Sequence, residues 1–125
     1  MIIGCGIDLV EINRIERIIK KWEDKFILRL FTLQEKIYCE SKNNRYQSYA
    51  GKFAAKEALL KALGLGLRGI KWKEMEILND LAGRPVIRTR GKLKTIISQK
   101  NISNCLVSIS HTQDYVIAEV ILEVF

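Results

Sequence analysis

Near Leu63 the hydrophobic pattern of this chain changes period, and that change limits the folds open to it. Before that point apolar residues recur at helical spacing. After Glu74 they come in short runs bounded by turn residues, the spacing of strands. One further strand is predicted at the start, where Ile3, Cys5, Ile7 and Leu9 alternate with Gly4, Gly6, Asp8 and Val10. The predicted order is β-α-α-α-β-β-α-β-β. It implies an α+β arrangement, with helices packed on a mainly antiparallel sheet, in one domain over residues 1–125.

The first helix is expected over Glu11–Glu23, with Ile12, Ile15, Ile18, Ile19 and Trp22 as one buried stripe. Phe26–Phe31 reads as an apolar connector, and Trp22, Phe26 and Phe31 as a core cluster. Thr32 with Glu35 three residues later is a capping-box pattern, so a second helix begins near Leu33 and breaks around Ser41–Arg45. The strongest helix runs over Gln47–Leu63, ended by Gly64 and Gly66. Strands follow over Glu74–Leu78 and Pro85–Thr89, around a turn at Asn79–Gly83. A short helix over Gly91–Lys100 precedes a closing antiparallel pair, Leu106–Ser110 and Tyr115–Val124.

Composition narrows the class. With 48% hydrophobic and 28% charged residues in 125, the chain reads as globular. No apolar run approaches the roughly 18 residues a membrane span needs, and Asp8 interrupts the apolar start, which argues against a secretory signal. Three cysteines without C-x-x-C spacing argue against a disulfide framework or a zinc site, and favour a reducing cytoplasm. A single histidine, His111, excludes mechanisms that need two. The net charge is +7, and from Lys36 to Lys73 nine basic residues face two acidic ones. Such stretches attract nucleic acid, a phosphate-rich cofactor or an acidic protein.

Two acids stand out. Strand parity puts Asp8 on the face of Gly4 and Gly6, where something can approach the backbone closely; the plainer role is a cap for the next helix. Glu57 lies beside the apolar stripe of its helix; the plainer role is an exposed pair with Lys61, worth about 0.2–0.5 kcal/mol. Together the two carboxylates suit a hard divalent cation such as Mg²⁺. Lys52, Lys56 and Lys61 could then contact phosphates, unless they merely form a solvated face. His111 in a hairpin reads by itself as a solvated turn residue.

Gly6-Ile7-Asp8-Leu9-Val10-Glu11-Ile12, Phe53-Ala54-Ala55-Lys56-Glu57-Ala58 and Ser108-Ile109-Ser110-His111-Thr112 together resemble the holo-[acyl-carrier-protein] synthases, the short bacterial-type 4′-phosphopantetheinyl transferases. Phe31-Thr32 with Glu35, and Asn79 with Ala82-Gly83-Arg84-Pro85, extend the resemblance over essentially the whole chain. It implies transfer of phosphopantetheine from coenzyme A to a serine of acyl carrier protein, for fatty acid biosynthesis. By that resemblance Asp8 and Glu57 hold Mg²⁺ and, with Lys56, are catalytic. Lys56, Lys61 and the backbone around Gly64 lie along the phosphates, and Asn79, Gly83 and Pro85, with Ser110 and His111, help form the nucleotide pocket. It also implies a homotrimer with sites between subunits. In larger relatives a third carboxylate stands two residues after the first aspartate; here that position is Val10. An acidic carrier protein would dock on the basic face of Arg14, Arg17, Lys21 and Lys25. Competing readings are an RNA-binding domain, disfavoured because Phe26, Phe31 and Phe53 fall at core spacing, and a noncatalytic coenzyme A-binding module.

Overall fold

The computed structural model describes residues 1–67 and 69–125. Strand β1 (Ile2–Glu11) leads into helices α1 (Ile12–Trp22), α2 (Asp24–Leu30), α3 (Leu33–Glu40) and α4 (Arg45–Leu63). A short 3-10 turn at Trp72–Glu74 introduces the hairpin of β2 (Met75–Asn79) and β3 (Pro85–Thr89). Helix α5 (Gly91–Gln99) and the strands β4 (Asn104–His111) and β5 (Tyr115–Glu123) complete the chain. β5 lies between β1 and β4, antiparallel to both, while β2 and β3 form a separate two-stranded sheet. The expected α+β layering is therefore present.

Helix α4 packs across β1 and β5, and the two glycines of β1 let it come that close. A Cβ at Gly6 would overlap the Ala58 carbonyl oxygen, and one at Gly4 that of Ala62. What approaches the Asp8 face of the strand is thus a helix backbone. On the far side of the sheet Ile7, Leu9, Leu106, Tyr115 and Ile117 are exposed, while Val116, Ala118, Val120 and Leu122 turn inward against α4.

Three expectations are corrected. Phe26–Phe31 lies mostly within helix α2, because Ile27 and Leu30 are spaced to bury together and Asp24 and Arg29 suit the dipole at either end. Glu23, at φ 47°, separates α2 from α1. Trp22 is no core residue: it is 52% exposed at the end of α1, with the Lys21 ammonium 5.3 Å from its ring centroid. Gly64 is the left-handed cap of α4, at φ 69°, and Gly66 has no such role. The Thr32–Glu35 capping box forms as expected.

Candidate active site

Asp8 and Glu57 lie on one flank of α4, near enough for their charges to interact. β1 presents Asp8 inward, and the close approach at Gly6 brings it beside Glu57 on the helix. Burial, then the neighbouring Asp8 charge, hold the Glu57 carboxyl above the usual carboxylate range; Lys61 and Arg14 pull the other way. Lys61 donates to Asp8 Oδ1 at 2.9 Å and to the Ile7 carbonyl at 3.0 Å. The plainer roles therefore do not apply. Asp8 caps nothing, since Glu11 is the N-cap of α1 and makes no side-chain cap bond, and Lys61 pairs with Asp8 instead of Glu57. Glu11 turns to Arg17, 3.5 Å away.

The three helix lysines do not share a face. Lys61 and Lys52 are separated by about 900° of helical rotation, which sets them on opposite sides of α4. Lys56 is fully buried. Its ammonium donates to Glu35 Oε1 at 2.7 Å, to the Leu30 carbonyl and to the Trp72 carbonyl at 3.4 Å. Glu35, equally buried, also accepts from the backbone N–H of Thr32 and Ile77, at 2.8 and 2.9 Å. This pair ties α4 to α2, α3 and β2. The catalytic contact expected of Lys56 is corrected accordingly: its donors are engaged inside the protein. Gly64 uses its own N–H to close α4 onto the Leu60 and Lys61 carbonyls.

A cavity of about 530 Å³ opens on the other flank, between the start of α4, the β2–β3 hairpin and β4. It brings together Asn79, Gly83, Pro85 and His111, as expected. Ser110 does not line it: on β4 it alternates with Ile109 and His111 and lies on the exposed side of the sheet. The sequence reading missed Tyr38, Lys42, Asn44 and Ser48 at the cavity. Their signal was the polar break between α3 and α4, which reads as an interruption and not as a rim. In a single chain the carboxylate pair sits at the β1 edge of the sheet and the cavity at the β4 edge, with β5 between them.

Arg14, Arg17 and Lys21 are exposed on α1 and Lys25 on α2, so the expected basic face spans two helices.

The 4′-phosphopantetheinyl transferase superfamily model matches residues 4–120. The chain belongs to this superfamily. Within it, this transferase is of the short, holo-[acyl-carrier-protein] synthase type. It is 45% identical over 124 residues to the holo-[acyl-carrier-protein] synthase of Geobacter metallireducens, covering 98% of each chain. The fold matches the crystal structure of the Neisseria meningitidis holo-[acyl-carrier-protein] synthase with a TM-score of 0.91, at 34% identity over 98% of this chain and 99% of that one. The Helicobacter pylori synthase, solved in complex with coenzyme A, matches with a TM-score of 0.84, at 33% identity over 95% and 99% of the two chains. No helix among the described residues of the transferase is long and apolar enough to cross a membrane.

Proposed function

We propose that this chain transfers 4′-phosphopantetheine from coenzyme A to a serine hydroxyl of acyl carrier protein, converting apo to holo carrier for fatty acid biosynthesis. The observation that carries this reading is the pairing of Asp8 with Glu57 beside Lys61, in a chain related over nearly its whole length to synthases of that activity. The donor set fits a hard divalent cation. Two carboxylates stand close enough to repel each other, and among the described residues no larger acidic, His or Cys group converges. Asp8 and Glu57 would hold Mg²⁺, with waters and substrate oxygens in the remaining positions. The cation would supply charge stabilisation at the diphosphate.

The residues of the chain do the rest. Lys61, half-exposed on its Asp8 contact, turns to a phosphate oxygen as charge builds there. Asn79, Gly83, Pro85 and His111 hold the nucleotide in the cavity. The serine oxygen bonds to the phosphorus on the pantetheine side as its proton passes to a water oriented by Asp8 or Glu57, the bridging P–O bond breaks, and adenosine 3′,5′-bisphosphate leaves with the electron pair. Arg14, Arg17, Lys21 and Lys25 steer an acidic carrier protein toward the Glu57 flank.

The site is completed between subunits in a homotrimer. Two features support this: the carboxylate pair and the cavity lie at opposite sheet edges, and Ile7, Leu9, Leu106, Tyr115 and Ile117 are exposed on one sheet face. Ser110 belongs to that face and would reach a neighbour's site. A cytoplasmic location agrees with three free cysteines.

The decisive experiment incubates apo carrier protein with coenzyme A, Mg²⁺ and the purified chain and weighs the product. A gain of one phosphopantetheine is the expected outcome. Tight coenzyme A binding with no mass gain would leave a noncatalytic binding module in its place.

A further inference from the structure

Lys52 lines the nucleotide cavity yet is only 3% exposed. Its ammonium has three donors to place. It donates to the Ile77 carbonyl at 2.5 Å and to Asn79 Oδ1 at 2.8 Å, and lies 4.4 Å from the centroid of the Tyr38 ring. Two of its donors are thereby taken by oxygen acceptors of the hairpin, and the ring of Tyr38 lies beside the ammonium. Asn79 continues the chain of contacts, its amide Nδ2 donating to the Gly83 carbonyl at 3.1 Å. Asp80 locks the same turn from outside, accepting from the N–H of Ala82 and of Arg84, each at 2.9 Å. The relay therefore runs from α4 through Lys52 and Asn79 to Gly83. Its last three members all line the cavity.

We propose that Lys52 is a positioning residue for coenzyme A: its buried ammonium fixes the Asn79 amide, and through it the Gly83 turn, so that the hairpin wall of the cavity is set before the nucleotide arrives. This rests on the nucleotide-pocket reading above. Two properties of the site argue for it over direct phosphate binding. A lysine that swung away from its carbonyl and amide oxygens to a phosphate would give up the bonds that hold the hairpin to α4. And Lys42, exposed at the same cavity, offers a phosphate a cation without that loss.

The test is a double-mutant cycle read by binding of adenosine 3′,5′-bisphosphate to the full chain in a calorimeter, with kcat and KM for coenzyme A measured alongside. Lys52→Met and Asn79→Ala should each raise Kd and KM by about tenfold, the scale of one lost buried hydrogen bond, while kcat stays within about threefold. The double variant should bind no worse than the weaker single one, because both substitutions break one relay. If the two effects multiply instead, Lys52 touches the ligand itself and the proposal is overturned. It is equally overturned if Lys52→Met leaves Kd unchanged. Where Lys52→Met does not fold, Lys52→Gln removes the charge and shortens the reach with less apolar intrusion, and is read by the same criteria. Failure of the wild type to bind the bisphosphate at all would strike the nucleotide-pocket reading itself, an outcome distinct from any result of the cycle.

Discussion

Helix α4 carries two lysine–carboxylate pairs of nearly equal length and opposite use. Lys56 meets Glu35 at 2.7 Å with both side chains sealed from solvent. Lys61 meets Asp8 at 2.9 Å with its side chain 54% exposed. In the sealed pair every remaining oxygen and proton is bonded to backbone, so neither partner can be lent to a substrate. In the open pair the lysine can swing away, and Asp8 has a second carboxylate beside it that repels it. Ion-pair distance says little about role; the saturation of the partners and their access to water separate the frame from the working site.

Substitutions can break this contrast. The largest effect is expected at the sealed pair: Lys56→Met strands a buried carboxylate and should cost about 3–5 kcal/mol of stability in denaturant titrations. Adding Glu35→Leu should return part of that loss. A direct catalytic role for Lys56 would instead show as a normal melt with lost turnover. Next comes Asp8→Asn, which should lower kcat by about 100-fold or more while the melt and KM for coenzyme A move little; an unchanged kcat would remove Asp8 from the mechanism. Lys61→Ala should cost about tenfold in kcat/KM, since it withdraws one exchangeable charge.

Smaller effects sharpen the picture. Arg14→Glu should raise KM for carrier protein about threefold to tenfold and flatten its dependence on salt, and a salt-independent KM in the wild type would dismiss the docking face. The smallest effect is on stability, at Glu57. Its folded-state pKa lies above the unfolded one, so its contribution is favourable while protonated and is lost as pH rises through the folded value. Glu57→Gln should therefore melt slightly above the wild type at pH 7 without divalent ions, with the gap closing in acid, even as transfer is abolished. A lower melt at pH 7 would mean the carboxylates do not strain each other.

Local signals were legible in the sequence, and long-range ones were not. The Thr32–Glu35 cap, the alternation of β1 and the proline-led β3 depend on neighbours a few residues away, and all three formed. The pairing of Asp8 with Glu57 was legible because each acid is odd for its own element. Lys56 misled because its burial depends on Glu35 and on backbone groups of α2 and of the turn before β2, which no helical spacing reveals. Helix α2 is two turns long, too short for its period to show, and Trp22 fell at core spacing one residue before Glu23 turned the chain away. The division of the site between two sheet edges could only come from the strand order, which places β5 between the first and fourth strands.

The bare backbone contact at Gly6 has a mechanical consequence. Side chains elsewhere cushion one element against another by hopping between rotamers, but here carbonyl meets Cα with nothing compressible between them. Strand and helix must then tilt and vibrate as a single piece, and the spacing of the two acids inherits that stiffness. Even Gly6→Ala, the mildest enlargement available, would wedge the two apart and detune the gap without touching either carboxylate.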